Sequence, residues 1–197
     1  MNIYVVRHGQ TEENLKGTYY GTLDCGLTEL GVNQAKELGE KLKNIKFDKV
    51  YCSDLKRAGD TLKHISESPN IIIDERIRER NFGVFEGKTY KEIEEEFAEE
   101  CLQWNENWQE YRPYGGESFK DSYFRVSAFM ENLKSETGEN ILVCTHGGIV
   151  RAMYVYILGG NLELYWKFNS RNADVSIIKI HNGYFYIDSI IPIEFCG

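Results

Sequence analysis

The sequence predicts an α/β fold, a three-layer sandwich in which helices cover both faces of a mostly parallel central sheet that also contains an antiparallel strand. Short, largely β-branched runs alternate with segments whose apolar residues recur at helical spacing, and this alternation is typical of parallel sheets connected by helices. Near the end of the chain, Asn182-Gly183 separates two runs of alternating apolar residues. This pattern is a strong signal for a two-residue hairpin, so the sheet is expected to be mixed.

Four short strands precede the hairpin in this prediction. Each is a brief and largely apolar run, and the first is β-branched and continuous without polar alternation, as expected for a strand that is buried on both faces. The runs are Ile3–Val6, Lys49–Cys52, Ile71–Ile73 and Ile141–Cys144.

Helices are predicted between these strands from apolar residues at three- and four-residue spacing. Thr28 is expected to cap the first, which extends to about Leu42 with Leu30 on its apolar face, and Ser53 is expected to cap the second. A third is predicted over Thr89–Tyr111. Two more follow, one carrying Phe119, Val126, Met130 and Leu133 and one opening at Gly147-Gly148, while residues 11–27 are expected to form a loop.

The totals limit the classes of function. The 197 residues are expected to form one domain, 1–197, with a helical lid segment at about 88–118. A net charge of −8 argues against a nucleic-acid or anionic-membrane partner, which would need a basic surface. No signal peptide and no apolar run of roughly 18 residues is visible, so no membrane span is expected. Widely spaced cysteines without a C-x-x-C pair favour a reducing, cytoplasmic setting over disulfides or zinc; they are Cys25, Cys52, Cys101, Cys144 and Cys196.

Histidines follow two of the predicted strands, because His8 comes after the first and His146 after the fourth. In such folds ligands bind beyond the carboxyl ends of the strands, so both imidazoles are expected at one rim. Arg7 adjoins His8, and Arg57 lies near a helix start, where free backbone N–H groups favour anions. With Glu79, these residues predict a local cationic pocket for a phosphoryl group.

Other ways of handling phosphate have no support in the sequence. There is no G-x-x-x-x-G-K-[ST] loop and no G-x-G-x-x-G. A cysteine phosphatase would have five residues between its cysteine and its arginine, whereas four separate Cys52 from Arg57 and six separate Cys144 from Arg151. No compact cluster of acidic residues suggests a two-metal site. Histidine is therefore the nucleophile that remains, since neighbouring arginines disfavour protonation of His8 and keep a lone pair available. A carboxylic acid in the cleft would then give the leaving alkoxide its proton.

These residues carry a resemblance to a known family. Arg7-His8-Gly9-Gln10-Thr11 with Asn14 resembles the R-H-G-x-T-x-x-N signature of the histidine phosphatase superfamily, which includes the phosphoglycerate mutases. The resemblance implies a phosphoglycerate mutase-like fold. It continues in order through nearly the whole chain, in "LTELGVNQA" (27–35), "CSDLKRA" (52–58), "IRERNFGVFEG" (77–87), "GGES" (115–118) and "THGG" (145–148).

The resemblance also implies roles for single residues. His8 resembles the catalytic nucleophile that becomes a phosphohistidine, and Glu79 resembles the proton donor that later activates water. Arg7, Arg57 and His146 resemble the set that holds the phosphate, with His146 also part of the catalytic group. Asn14 resembles a further hydrogen-bond donor to the phosphate. The family needs no metal ion, and no cofactor is implied.

Two branches of the superfamily compete for the assignment. The mutase branch usually carries an inserted segment that closes over a bisphosphorylated sugar acid, and this chain lacks it. The stretch "CLQWNENWQEYRPYGGESFKDSYFRV" (101–126) instead resembles the α-ribazole-5′-phosphate phosphatases of cobalamin assembly. The expected substrate is thus a small-molecule phosphomonoester, with α-ribazole 5′-phosphate leading. A phosphoglycerate mutase, a broad-specificity phosphatase and a non-catalytic module that binds a phosphorylated ligand stay as alternatives.

Several residues of the lid segment have two interpretations. Trp104, Trp108 and Tyr111 either pack in the interior or form a lid whose flat faces stack on a benzimidazole. Glu117 either lines the cleft or only begins a helix. The oligomeric state is left open, with a homodimer as one alternative.

Overall fold

Six strands form one mixed sheet in the computed structural model, which describes residues 1–67 and 70–193. The strands are β1 (Asn2–Arg7), β2 (Lys49–Cys52), β3 (Ile71–Ile73), β4 (Asn140–Thr145), β5 (Val175–His181) and β6 (Tyr184–Ile191). Their order across the sheet is β3-β2-β4-β1-β5-β6. The strands β1 to β4 are parallel to one another, whereas β5 is antiparallel to β1 and β6. The predicted mixed, mostly parallel sheet is confirmed.

Seven α-helices are described. They are α1 (Glu12–Lys16), α2 (Glu29–Leu42), α3 (Lys56–Leu62), α4 (Tyr90–Glu96), α5 (Ala98–Glu106), α6 (Phe119–Leu133) and α7 (Gly147–Ile157). Short 3₁₀ turns lie at Glu75–Ile77, Gly83–Phe85 and Leu162–Lys167. The helix predicted after Thr28 is confirmed, because the Thr28 side chain accepts a hydrogen bond from Gly31 N–H. The stretch predicted to be a loop contains α1, which Thr11 caps in a reciprocal capping box with Asn14.

Helices cover both faces of the sheet, as predicted, because successive side chains of a strand point to opposite sides. On β1, Ile3 and Val5 join the core formed with α6 and α7. Val6 joins the second core, formed with α2 and α3. The sheet is thereby fixed between two apolar layers, and its polar ends are left at the rim.

The predicted hairpin is present between β5 and β6. Asn182 and Gly183 form its turn with φ values of 49° and 79°, and His181 pairs with Tyr184 across it. Both turn residues are in the left-handed region that a tight two-residue hairpin requires, which Asn and Gly adopt at low cost.

The single helix predicted over Thr89–Tyr111 is wrong. Phe97, at φ −134° and ψ 51°, leaves the helical conformation and separates α4 from α5, which ends at Glu106. The end of α5 divides the aromatic stripe, because Trp104 lies within that helix and Trp108 follows it. Trp104 packs with Phe85, whereas Trp108 packs with Phe119 and Tyr165.

Two smaller predictions, one about a helix cap and one about a buried helix face, are also wrong. Ser53 does not cap α3, since the residue before that helix is Leu55 and it makes no side-chain cap. The Ser53 hydroxyl instead bonds to His146. Leu30 is 44% exposed and lies off the buried face of α2.

The described cysteines, Cys25, Cys52, Cys101 and Cys144, are free thiols, and Cys196 lies outside the described residues. Within the described ranges, none of the helices combines the length and the apolar character that crossing a membrane demands.

Candidate active site

The two histidines predicted to share a rim lie side by side. β1 and β4 are parallel neighbours in the sheet, so the residues that follow them, His8 and His146, emerge at the same edge. Their ring centroids are 5.2 Å apart. Both side chains are buried, with 2% and 0% exposed surface.

His8 has one defined tautomer. Its Nδ1 lies 2.7 Å from the carbonyl oxygen of Gly9, and because a carbonyl can only accept, Nδ1 carries the proton. The lone pair is therefore on Nε2. Gly9 is required here, since a Cβ at this position would lie 2.4 Å from the carbonyl oxygen of Gly31.

His146 has the opposite tautomer. Its Nδ1 accepts a hydrogen bond from the Nε–H of Arg57 at 3.2 Å. Its Nε2 lies 2.8 Å from the Ser53 hydroxyl and must donate to it. The imidazole is thus held between a cation and a hydroxyl, and this arrangement requires the neutral form.

Burial and neighbouring charge keep both imidazoles neutral. Burial is the larger cause that lowers the pKa of His8 well below its ordinary value of 6.5, and Arg7 and Arg57 lower it further, against the effect of the hydrogen bond to Gly9. The pKa of His146 is lowered well below 6.5 by burial first and then by Arg57. An uncharged His8 has a nucleophilic Nε2 near neutral pH.

Arg57 is buried on α3, away from solvent. Its Nη1 and Nη2 donate to the carbonyl oxygens of Leu23 at 3.0 Å and Gly21 at 2.7 Å. Its guanidinium also lies 4.7 Å from the centre of the Tyr20 ring. These contacts fix the cation beside His146 before any ligand arrives.

The guanidinium of Arg7 makes fewer hydrogen bonds than that of Arg57. Its Nη1 donates to the carbonyl oxygen of Ser170 at 2.5 Å, but its buried Nε–H has no partner among the described residues. Nearby, the Asn14 side-chain oxygen accepts bonds from Thr11 and Asn172. The Asn14 amide nitrogen makes no hydrogen bond within residues 1–67 and 70–193, so it can donate to a ligand.

Glu79 lies at the amino-terminal end of α7. Its carboxylate accepts hydrogen bonds from the backbone N–H groups of Gly148 at 2.9 Å and Arg80 at 3.0 Å. A Cβ on Gly148 would lie 2.4 Å from a Glu79 carboxylate oxygen. The close approach of helix and carboxylate thus depends on glycine at position 148.

These groups adjoin a cavity of about 270 Å³. Arg7, Asn14 and Glu79 line it directly, whereas the buried side chains of His8, Arg57 and His146 do not. Tyr20 also lines the cavity, and its ring centroid is 6.4 Å from that of His8. Much of the remaining lining is aromatic, and it is formed by Tyr19, Phe82, Trp104, Trp108, Phe119, Tyr165 and Trp166.

The four residues predicted for the lid have different positions. Trp104 and Trp108 line the cavity. Tyr111 instead stacks on Phe85 in a neighbouring aromatic cluster. Glu117 faces a separate groove, where it pairs with Arg125.

Sequence reasoning missed Arg151 and its two aromatic neighbours. The Arg151 guanidinium lies 4.2 Å from the ring centre of Tyr165 and 5.2 Å from that of Trp166, and all three line the cavity. Helical periodicity could have indicated the arginine, because it stands four residues after Gly147 and hence on the same face of α7. Nothing in the local sequence indicates that Leu162–Lys167 packs against that face.

Metal ligands are not gathered at this site. Across residues 1–67 and 70–193, no three or more His, Cys, Asp or Glu side chains cluster as a metal ion would require.

Comparison with known proteins places this geometry in a family. The family model of the histidine phosphatase superfamily (branch 1) matches residues 3–191. Adenosylcobalamin/alpha-ribazole phosphatase of Salmonella typhimurium is 33% identical over 188 residues, covering 93% of each chain. Phosphoserine phosphatase 1 of Hydrogenobacter thermophilus is 33% identical over 206 residues, covering 96% of this chain and 98% of its own. The crystal structure of the alpha-ribazole phosphatase from Shigella flexneri has a TM-score of 0.91 at 29% identity, covering 99% of this chain and 100% of that one.

The chain belongs to the histidine phosphatase superfamily. Its sheet and helices match the phosphoglycerate mutase-like fold of these neighbours, and the protein is a phosphatase. The relatives named above differ in the substrates that their names give, so membership of the family does not identify the leaving group.

Proposed function

We propose that the protein hydrolyses phosphomonoesters through a phosphohistidine at His8. In the first step Nε2 of His8 attacks phosphorus, the ester P–O bond breaks, and the leaving oxygen takes a proton from the Glu79 carboxyl group. In the second step the Glu79 carboxylate takes a proton from water, whose oxygen attacks the phosphohistidine and releases phosphate and neutral His8. Atoms and charges balance without a metal ion or cofactor.

The remaining polar groups support the transferred phosphoryl group in this proposal. The unpartnered Nε–H of Arg7 and the free amide of Asn14 are donors available to its oxygens. Arg57 adds fixed positive charge and keeps His146 neutral. Preorganised donors of this kind stabilise the charge that spreads over the phosphoryl oxygens in the transition state.

As the substrate we propose α-ribazole 5′-phosphate, with the segment at about 88–118 as one wall of its site. The observation that carries this choice is the set of aromatic side chains that line the same cavity as Arg7 and Glu79. A benzimidazole is flat and apolar and can stack on such rings, whereas a small sugar acid gains little from them. The relatives named alpha-ribazole phosphatase support the same choice.

Arg151 favours a second candidate, a phosphorylated amino acid such as phosphoserine. Its guanidinium lines the cavity, stacked on Tyr165, and makes no hydrogen bond or ion pair within the described part of the chain. An arginine with free donors suits a carboxylate. The relative named phosphoserine phosphatase 1 is consistent with this candidate.

Substrate competition in the presence of EDTA tests the choice. We expect kcat/KM for α-ribazole 5′-phosphate to exceed that for phosphoserine, 3-phosphoglycerate and p-nitrophenyl phosphate. Trp166 is 60% exposed at the cavity, so Trp166→Ala leaves the core intact. This change should lower kcat/KM about tenfold for α-ribazole 5′-phosphate, the loss expected from one aromatic stack, and change p-nitrophenyl phosphate less.

The same assay identifies the alternatives. A preference for phosphoserine that disappears in Arg151→Ala would overturn the ribazole proposal in favour of the second candidate. Equal turnover of all four esters would indicate a broad-specificity phosphatase. Isomerisation of 3-phosphoglycerate without release of phosphate would contradict the hydrolase and favour a mutase.

A further inference from the structure

A half-buried ion pair contacts the backbone of the loop that carries Glu79. Arg125, on α6, donates from Nε and Nη2 to the two carboxylate oxygens of Glu117, each at 3.0 Å. Burial alone would raise the pKa of Glu117, but the hydrogen bond and charge of Arg125 lower it below its ordinary value. The pair is therefore a two-point, charged contact with a fixed relative orientation.

The same two side chains hold the backbone on both sides of Glu79. Arg125 Nη1 donates to the carbonyl oxygens of Arg76 at 2.8 Å and Arg78 at 2.5 Å, and Nη2 donates to that of Glu79 at 3.1 Å. Glu117 accepts from the backbone N–H of Asn81 at 3.0 Å. Four backbone groups of the six-residue loop 76–81, three carbonyls and one N–H, are thus hydrogen-bonded to this ion pair.

Among the described residues, only backbone N–H groups donate hydrogen bonds to the Glu79 carboxylate. They belong to Gly148 and Arg80. Its location therefore follows the backbone of the 76–81 loop. Glu117 and Arg125 line a groove that shares no residue with the cavity, so neither side chain is placed to contact the substrate.

We propose that Glu117 and Arg125 are positioning residues that hold Glu79 at the distance needed for proton transfer to the leaving group. This inference rests on the proposed role of Glu79 and adds to it. A displacement of about 1 Å at a reacting group can cost about 100-fold in rate. A flexible lysine at position 125 cannot reproduce the planar fork that spans the carboxylate and the loop.

A series of esters with increasingly poor leaving groups separates positioning from general damage. Esters of acidic phenols need no proton on departure, whereas alkyl esters depend on the general acid. We expect Arg125→Lys and Glu117→Gln to lower phosphoenzyme formation about 10- to 100-fold for an alkyl phosphate. The rate for dinitrophenyl phosphate should fall less than about threefold, because that step does not use the acid.

Arg112→Lys is the matched control. Arg112 also forms an ion pair, with Asp121 at 2.7 Å, but its side chain is 61% exposed. The control should leave both esters unchanged, since exposed pairs contribute little. Thermal unfolding of each variant shows that the chain is folded, and Glu117→Gln, which keeps the shape of the side chain, serves if Arg125→Lys does not fold.

A double substitution completes the test. In a Glu79→Gln background, Arg125→Lys should cause no further loss for the alkyl ester, because the group that it positions is already disabled. Equal losses for both esters, or a full additional loss in that background, would overturn the inference. If Glu79→Gln itself showed no dependence on the leaving group, the proposed role of Glu79 would fail, and this result is distinct from a failure confined to position 125.

Discussion

The Nε–H of Arg57 donates a hydrogen bond to Nδ1 of His146 at 3.2 Å, which joins a permanent cation to an imidazole. A guanidinium has no acceptor, so this contact exists only while His146 keeps a lone pair on Nδ1. His8, whose ring centroid is 5.2 Å from that of His146, is under the same constraint from burial, Arg7 and Arg57. The folded structure is therefore most stable while both histidines are uncharged, and protonation of either imidazole favours unfolding.

This coupling predicts that stability falls on mild acidification. Each folded-state pKa lies below the ordinary 6.5, so the unfolded chain binds more protons as the pH falls below that value, and the free energy of unfolding decreases. Above pH 6.5 the full stability is present. Urea denaturation between pH 7.5 and 5.5 should show a fall of up to about 1.4 kcal/mol per pH unit for each histidine.

The control for this pH dependence is His8→Asn, which removes one of the two coupled groups. Its stability should depend less steeply on pH, by up to about 1.4 kcal/mol per unit. Identical slopes in the two proteins would show that His8 is not held neutral by the fold.

Gly148→Ala should impair catalysis more than folding. The added Cβ would lie 2.4 Å from an oxygen of Glu79, and the carboxylate can move away at little cost in stability. The displaced acid should then lower turnover of an alkyl phosphate by about 100-fold. Steady-state kinetics and thermal unfolding of the same preparation measure the two effects.

Gly59→Ala is the companion variant, since a Cβ at this helical position meets nothing within 4 Å. It should keep full activity and gain about 0.5–1 kcal/mol in stability. Retained activity in Gly148→Ala would show that the Glu79 carboxylate need not lie against α7.

Arg7 and Arg57 should differ in what they contribute. Arg57 satisfies two carbonyl groups and a histidine nitrogen in the interior, so Arg57→Met should cost about 3 kcal/mol or more in stability. Arg7 makes one such bond and has a buried Nε–H without a partner. Arg7→Met should therefore cost less stability but weaken inorganic phosphate binding at least about tenfold.

Calorimetric titration with phosphate and urea denaturation together check this difference. The opposite ranking, with Arg7→Met the less stable variant and its phosphate affinity unchanged, would contradict the assigned roles.

Local pattern and topology together made much of the fold and the rim predictable. The Asn182-Gly183 turn and the Thr28 cap are local signals, and the structure contains both. His8 and His146 could be placed together because the carboxyl ends of parallel strands share one edge.

The features that sequence could not supply depend on contacts between distant segments. Periodicity predicts one helix over the aromatic stripe, but the chain leaves the helical conformation at Phe97, whose ring packs against Phe85. Ser53 has the residue type of a helix cap, yet its hydroxyl bonds to His146, 93 positions away. The contacts of Arg125 with the 76–79 backbone are likewise invisible without the fold.

Trapping the covalent intermediate shows whether His8 carries the phosphoryl group during turnover. The protein is mixed with a ³²P-labelled phosphomonoester, quenched in alkali, which preserves phosphohistidine, and digested so that the labelled peptide can be identified. We predict label on the peptide containing His8, no label in His8→Asn, and retained label in Glu79→Gln with an aryl ester. Label on a different residue, or full turnover by His8→Asn, would contradict the account.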